Sequence, residues 1–323
     1  MAANDRARVT AASIAGIGTA IPDARLTNAD LAARLDTSDE WIVARTGIRE
    51  RRVAAPEETS GSLAVGASAA AIKDAGLVPD DVDLLVVATT SPDQALPQTS
   101  ALVHEGLGLR CGAFDVSAAC AGFVHGLVVG ATLLDAGDLG TVVVVGSETL
   151  TRLVDPDDRG TVPLFGDGAA AVVLRPAVSG YGLQAWDLGC DGSASGILAI
   201  PPGRQFIQME GQEVFRRAVR AVTSSAANAL RTAGVTASDV DLFVPHQANV
   251  RIINLAAQRL GIDPSRTMVN VDRYGNTSAA SVPLALAEAV DEGRVHDGDV
   301  ILLCGFGAGM AWASAVLRWG GVS

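Results

Sequence analysis

A cysteine among small residues is the first candidate for chemistry. Cys120 lies in DVSAACAGFVHGL (115–127), between an apolar run that predicts a strand and a run that predicts a helix with Phe123 and Leu127 in the core. The thiol would lie at the mouth of that helix, where unpaired N–H groups and the helix dipole stabilise an anion. Such surroundings lower a thiol pKa to about 3.5–7.5, so we expect a nucleophilic thiolate. The alternative is a buried structural cysteine.

His246 is the histidine best placed to serve that thiolate. It follows an apolar run in DLFVPHQAN (241–249), at the carboxyl end of an expected strand, where α/β sheets bind their ligands. The other three histidines, at 104, 125 and 296, fit helix faces or a polar loop. Taken alone, His246 is either a functional residue or a structural histidine with satisfied hydrogen bonds.

An internal repeat shows how these residues are positioned. AIKDAGLVPDDVDLLVV (71–87) and ALRTAGVTASDVDLFVP (229–245) share a helix end, a glycine stop and a buried strand in the same register. AGDLGTVVVVGSE (136–148) and DGDVILLCGFGAG (297–309) form a second, weaker pair. Two similar halves, 1–178 and 179–323, are therefore expected, and alternating strands and helices predict a layered α/β structure with two sheets.

The repeat helps to interpret two further segments of the sequence. YGNTSAAS (274–281) occupies the turn equivalent to that of Cys120, although Asn276 alone fits a helix cap equally well. CGFGAGMAW (304–312) is rich in glycine but lacks the Lys-Ser/Thr of a P-loop, and a strand-like segment follows it. We therefore interpret it as a tight hairpin that presents backbone N–H groups.

Composition narrows the classes of protein. The 323 residues carry a net charge of −12, which argues against nucleic-acid binding. The four cysteines show no metal spacing and are too few for a disulfide framework, which favours the reducing cytoplasm. No apolar run is long enough to span a membrane, and residues 1–22 fit a first strand better than a signal peptide.

The motifs together resemble β-ketoacyl-[acyl-carrier-protein] synthase III. The resemblance covers nearly the whole chain and implies a thiolase-like fold, in which two βαβαβαββ halves form five layers, α-β-α-β-α. The segments that carry it are DVSAACAGF, PHQAN, GNTSAASVP, GFGAGMAW, SDEWIVARTGIRERR (38–52), DDRGTVPLFGDGAAAVVL (157–174) and MEGQEVFRRAV (209–219).

The resemblance also implies a reaction. Cys120 would take an acyl group from a coenzyme A thioester, and His246 and Asn276 would bind the thioester oxygen of malonyl-carrier protein as CO2 leaves. The N–H groups of Cys120 and Ala308 would form the oxyanion hole. The product would be a 3-oxoacyl-carrier protein, which initiates fatty acid synthesis, with acyl-CoA and malonyl-carrier protein as substrates and no cofactor or metal.

The binding residues are implied in the same way. Leu96 would form the floor of the primer pocket from the partner subunit of a homodimer, and Arg216 and Arg251 would contact the acidic carrier protein. Trp41 and Arg159 would hold the adenine between them. The full set expected along the coenzyme A tunnel is Thr37, Trp41, Arg45, Arg159, Phe165, Gly211, Phe215, Asn249 and Arg251.

Three alternatives stay open at this point. The chain could be a priming ketosynthase or acyltransferase of a polyketide or other secondary-metabolite pathway, since such enzymes use the same catalytic triad of cysteine, histidine and asparagine. It could be a biosynthetic thiolase, in which a second cysteine near the C-terminal glycine-rich turn takes part, and Cys304 lies there. It could also be an inactive partner subunit, although such a subunit would lack the nucleophile.

Overall fold

The computed structural model describes residues 12–323, and its first half is built on one mixed sheet. The strand order is β1-β7-β6-β4-β5. The strands of this half are β1 (Ala12–Ala20), β2 (Arg25–Thr27), β3 (Glu50–Arg52), β4 (Leu84–Ala88), β5 (Gly112–Val116), β6 (Val142–Thr149) and β7 (Asp167–Pro176). The helices are α1 (Asn28–Ala32), α2 (Asp39–Thr46), α3 (Ser60–Asp74), α4 (Thr99–Leu107) and α5 (Gly122–Asp135).

The second half repeats this plan on a smaller sheet with the order β11-β12-β13-β8. Its strands are β8 (Gly182–Cys190), β9 (Leu198–Ala199), β10 (Gln208–Met209), β11 (Leu242–Pro245), β12 (Val300–Gly307) and β13 (Ala311–Arg318). Its helices are α6 (Gly211–Ala233), α7 (Val250–Leu260), α8 (Val271–Tyr274) and α9 (Ser281–Asp291).

The apolar residues form a separate core between each pair of layers. One core joins both sheets to α5 and α9, which lie between them. A second core packs α6 and α7 on the outer face of the second sheet, and a third packs α3 on the outer face of the first sheet. The layers therefore run α-β-α-β-α, which confirms the predicted fold class.

The repeat seen in the sequence is also visible in the coordinates. Short 3-10 turns at Pro79–Asp81 and Ala237–Asp239 precede β4 and β11. In each turn a carboxylate accepts a backbone N–H three residues earlier, Asp81 from Val78 and Asp239 from Thr236. Equal turns fix how each outer helix passes into its buried strand.

One expected strand is missing from the second half. The equivalent of β5 is reduced to an isolated bridge between Phe243 and Thr267. The backbone beyond it is held by a side chain instead of a neighbouring strand, because Gln247 donates to the carbonyl of Met268 and accepts from the N–H of Asn270. The segment then turns into α8, so the halves share a plan without being identical.

Candidate active site

Cys120 lies at the junction between the first sheet and the central helices. A 3-10 turn, Ala119–Ala121, follows β5 and leads directly into α5. Phe123 and Leu127 on α5 are buried in the core between the sheets and hold this helix in place. Cys120 therefore lies at the helix mouth, as expected, and only 7% of its surface is exposed.

The protonation state of this thiol differs from the sequence-based expectation. Burial, the largest cause, together with the nearby Glu148 carboxylate raises the pKa of Cys120 to about 12, and the Ser278 hydroxyl acts in the opposite direction. The expectation of a free thiolate is wrong for this structure, because burial disfavours the charged form of the thiol. The thiol is neutral near pH 7 and needs a proton acceptor when it reacts.

His246 follows β11 and is almost completely buried. Its Nδ1 lies 2.5 Å from the Ser281 hydroxyl, which also accepts the backbone N–H of Gln247. Phe306 contacts the imidazole edge-on, with 5.1 Å between the ring centres. Burial lowers the pKa of His246 to about 3, so the ring is neutral. With the serine hydroxyl donating to Nδ1, the proton lies on Nε2, which makes that atom a donor.

Asn276 is fixed by the backbone on both sides. Its N–H donates to the carbonyl of Leu164, and its carbonyl accepts the N–H of Gly166. Its side-chain oxygen accepts the N–H of Ser278 at 2.8 Å. The amide NH2 is therefore the group that can donate to a substrate.

The two catalytic turns pack across the boundary between the halves. Ala119–Ala121 lies against β12, where an added Cβ at Gly305 would be 2.8 Å from Ala121 Cα. The equivalent turn Ser278–Ala280 lies against β6, where an added Cβ at Gly146 would be 2.4 Å from the carbonyl oxygen of Ala279. Glycine at both strand positions permits this close approach and brings residues of both halves to one site.

Cys120, His246 and Asn276 line one cavity of about 660 Å³. Most residues expected along the coenzyme A tunnel line the same cavity. The expected residues found there are Trp41, Arg45, Arg159, Phe165, Gly211, Phe215, Asn249 and Arg251, and Arg216 lines the cavity as well. The side chains at the mouth of the cavity are basic.

Two expectations about this cavity need correction. Thr37 does not line it, since its Oγ1 is buried elsewhere without a hydrogen-bond partner among the described residues. The guanidinium of Arg159 lies 4.7 Å from the centre of the Trp41 ring and pairs with Asp36. That spacing leaves no room for an adenine between Trp41 and Arg159, so Arg159 has to move before the adenine can bind there.

A second, mostly apolar cavity of about 940 Å³ meets the first at Cys120. Ala308 and His125 also line it. Leu188 and Ile200, each 40% exposed, lie on its open side. Leu96 lines neither cavity of its own chain and is 84% exposed.

Sequence reasoning did not assign roles to Glu148, Ser278 and Ser281. Ser281 bonds to His246, and Ser278 and Glu148 lie beside Cys120. The sequence does contain a feature that singles out Glu148, because an acidic residue ends the apolar run VVVVGSE. The two serines are singled out only by their position in GNTSAAS, where small polar residues are also typical of a turn.

Other kinds of site find no support among the described residues. No group of three or more His, Cys, Asp or Glu side chains in residues 12–323 could hold a metal ion. No helix within this range is long and apolar enough to cross a bilayer. Cys304 is buried in β12, and its thiol bonds to Ser314 and lines neither cavity, which argues against the thiolase alternative.

A duplicated α/β fold with cysteine, histidine and asparagine in one tunnel defines a condensing acyltransferase of the thiolase-like type. The family model for 3-oxoacyl-[acyl-carrier-protein (ACP)] synthase III matches residues 114–192, and the model for its C-terminal part matches residues 230–319. The chain belongs to the β-ketoacyl-[acyl-carrier-protein] synthase III family.

Individual relatives agree over nearly the whole length. A β-ketoacyl-[acyl-carrier-protein] synthase III from Desulfitobacterium hafniense is 46% identical, over 95% of this chain and 97% of its own. The crystal structure of such a synthase from Thermus thermophilus has a TM-score of 0.93 at 45% identity, over 96% and 100% of the two chains. The priming β-ketosynthase of the R1128 polyketide pathway has a TM-score of 0.91 at 38% identity, over 97% of each chain. The predicted family and acyltransferase class are confirmed.

Proposed function

We propose that the chain condenses an acyl-CoA primer with malonyl-acyl-carrier protein and so initiates fatty acid synthesis. Cys120 attacks the thioester carbonyl of the primer, coenzyme A leaves as a thiolate, and the acyl group remains on sulfur. The N–H groups of Cys120 and Ala308 stabilise the oxyanion of the tetrahedral intermediate. The apolar cavity then holds the acyl chain.

The second half of the reaction uses His246 and Asn276. Nε2–H of His246 and the amide NH2 of Asn276 donate to the thioester oxygen of the malonyl group. Hydrogen bonds there stabilise the enolate that forms as CO2 leaves, in a buried site where such bonds are strong. The enolate carbon attacks the acyl-cysteine, and the tetrahedral intermediate collapses with Cys120 as leaving group.

A single observation carries this proposal: Cys120, His246 and Asn276 line one cavity whose mouth is basic. The tunnel suits a pantetheine arm that ends in phosphate, because a cavity with arginines at its mouth fits a neutral chain with an anionic end. In the bound state Trp41 and Arg159 stack on the adenine once Arg159 has moved, and Asn249 lies near the arm. Each substrate supplies its own thioester, so no step draws on a cofactor.

Partners and location follow from the same chemistry. Arg216 and Arg251 at the tunnel mouth contact the acidic carrier protein. The chain forms a homodimer in which Leu96 of the partner subunit closes the open side of the apolar cavity, because Leu96 is exposed and that side is apolar. Four free cysteines agree with a cytoplasmic protein. Residues 1–178 and 179–323 are proposed as its two domains.

A second candidate is the priming ketosynthase of a secondary-metabolite pathway. The 38% identity to the R1128 enzyme favours it, since that relative has the same fold over 97% of each chain. Both candidates use the same triad, so they differ in the primer and the carrier protein rather than in mechanism.

Mass spectrometry of the intact protein after exposure to a panel of acyl-CoAs tests the proposal. We expect one acyl group per chain, located on Cys120 and absent in Cys120→Ala, followed by its loss to a 3-oxoacyl product when malonyl-carrier protein is added. Acetyl or short branched primers would favour fatty acid synthesis, and preference for other primers would favour the second candidate. No acyl uptake by the wild-type chain would overturn both.

A further inference from the structure

Glu148 is a buried carboxyl group beside the proposed nucleophile. It lies near the end of β6, is fully buried, and takes part in none of the ion pairs found among residues 12–323. Its partners are hydroxyl and N–H groups. They are the hydroxyls of Thr89, Thr90 and Ser91 and the N–H groups of Thr90 and Ala279. A buried carboxylate without a cationic partner is costly even when it is hydrogen-bonded, which calls for an explanation.

Ser278 lies near both this carboxyl group and Cys120. Its hydroxyl lowers the pKa of each of the two groups. A serine hydroxyl can accept a proton while it donates its own, so Ser278 can pass a proton from the thiol towards the carboxylate. Ser278, Cys120 and Thr90 also line the same cavity, and Thr90 Oγ1 lies 3.4 Å from Ser278 Oγ and 2.9 Å from the Glu148 carboxylate.

The backbone holds the serine in this bridging position. Ser278 has a φ of 45°, a left-handed conformation that costs energy in any residue other than glycine. Its N–H donates to Asn276, and the next N–H, that of Ala279, donates to Glu148. The Ser278–Ala280 turn therefore anchors both the amide of Asn276, which binds substrate, and the carboxyl group of Glu148 near the thiol of Cys120.

The reaction needs a proton acceptor at this position. The thiol is neutral near pH 7, whereas the thiolate is the nucleophile. His246 is a poor base, because burial lowers its pKa to about 3 and its Nδ1 is bonded to Ser281. Burial raises the pKa of Glu148, which makes this carboxylate a stronger base than an exposed one.

We propose that Glu148 accepts the thiol proton of Cys120 through the Ser278 hydroxyl, holds it while the acyl group is on sulfur, and returns it after condensation. As the S–C bond to the acyl group forms, the thiol proton moves to Ser278 and the serine proton moves to Glu148. The C–S bond to coenzyme A breaks, and its thiolate takes a proton from water in the tunnel. When the condensed product leaves, Cys120 departs as a thiolate and regains the stored proton. This inference rests on the proposed function of Cys120.

The groups that face Glu148 determine the expected pH dependence. From the end of β4 and from the 278–280 turn these are uncharged hydroxyls and N–H groups, and the titratable group is Cys120. His125 borders the same cavity, with its Nδ1 bonded to the carbonyl of Ala121. A protonated carboxyl cannot accept the proton, so acylation should fall as pH decreases through the pKa of Glu148.

The first test is the rate of Cys120 acylation by acetyl-CoA, measured by rapid quenching and intact-protein mass spectrometry. We expect Glu148→Gln to slow acylation about 100-fold, the lower range of general base catalysis. The variant should lose the acidic inflection, and its rate should rise with pH as the thiol itself ionises. Ser278→Ala keeps the buried carboxyl group and should slow acylation similarly.

The second test detects the stored proton directly. Difference infrared spectra before and after acylation should show the C=O band of a protonated carboxylic acid in the wild type and no such band in Glu148→Gln. Asp167→Asn is the matched control, because Asp167 is also buried and bonded to N–H and hydroxyl groups, from Ala54 and Thr151, without a link to Cys120. The band should persist in this control.

The outcomes separate the inference from the proposed function. Wild-type acylation rates in both Glu148→Gln and Ser278→Ala, or no carboxylic acid band on acylation, would overturn the relay and leave Cys120 as nucleophile. If Glu148→Gln does not fold, Ser278→Ala and the wild-type band still decide. Absence of acyl-Cys120 in the wild type would instead remove the proposed function itself.

Discussion

At the residue scale, the site separates its two half-reactions between different donors. The hydrogen bonds of His246 and Asn276 leave Nε2–H and an amide NH2 as the free donors. Both groups are neutral, so they can stabilise an enolate without first trapping the malonyl carboxylate as an ion pair. Cys120 depends on neither of them for its position, since its turn packs on β12. The two functions should therefore be separable by mutation.

We expect His246→Ala or Asn276→Ala to lower the decarboxylation of malonyl-carrier protein about 10²–10³-fold, which corresponds to about 2.7–4 kcal/mol for one lost oxyanion donor. Acylation of Cys120 should change much less, because these donors act on the malonyl oxygen. Release of CO2 from labelled malonyl-carrier protein and mass spectrometry of the acyl-enzyme measure the two steps.

The control for this pair is His296→Ala, which removes an exposed histidine of a surface loop. The neutral state of His246 adds a second check. Because its pKa in the folded protein lies near 3, below the usual 6.5, decarboxylation should show no loss from imidazole protonation between pH 8 and 5. Equal losses in both steps, or a titration near pH 6.5, would contradict the assigned roles.

At the element scale, two strands carry glycine where a turn of the other half approaches. β6 meets the turn after Asn276 at Gly146, and β12 meets the turn of Cys120 at Gly305 and Gly307. At Gly146 the atoms in the way belong to the backbone of Ala279, so they cannot rotate aside as a side chain would. The distance between the catalytic groups therefore depends on the absence of a single methyl group.

Gly146→Ala should destabilise the protein by about 1–3 kcal/mol, the usual cost of overpacking, and should lower both Cys120 acylation and condensation. The reason is that the displaced turn follows Asn276 directly and contains Ser278, the proposed relay group for acylation. Denaturant unfolding and the two partial assays measure these effects. Gly192→Ala is the control, since nothing lies within 4 Å of its added Cβ. Wild-type stability and condensation in Gly146→Ala would contradict the packing argument.

The sequence predicted the positions of strands and helices better than the burial and protonation of the side chains that they carry. Strand and helix positions around Cys120 and His246 follow from local patterns, and the repeat brought Asn276 to an equivalent turn. The protonation of Cys120 could not be predicted, because its burial is caused by β12, which is distant in the chain. The missing strand near Thr267 could not be predicted either, because it also depends on a residue distant in the chain. The side chain of Gln247 forms the hydrogen bonds to the backbone of Met268 and Asn270 that a neighbouring strand would otherwise form.

At the scale of the whole molecule, the net charge opposes the proposed partner, whereas the tunnel mouth is basic. The chain has a net charge of −12 and would repel an acidic carrier protein over most of its surface. Four arginines lie at the tunnel mouth: Arg45, Arg159, Arg216 and Arg251. Arg216 is partly neutralised by Glu213, whereas no ion pair of Arg251 is found among the described residues. Arg251 should therefore contribute more to docking.

Arg251→Glu should raise the KM for malonyl-carrier protein about tenfold and weaken its dependence on salt, because a rim charge acts mainly on association. Turnover of the N-acetylcysteamine thioester of malonate, which has no phosphate and no protein part, should remain close to that of the wild type. Arg110→Glu reverses an exposed arginine that lines neither cavity and serves as the control. Equal KM values and salt dependence for Arg251→Glu and Arg110→Glu would show that the carrier protein docks elsewhere.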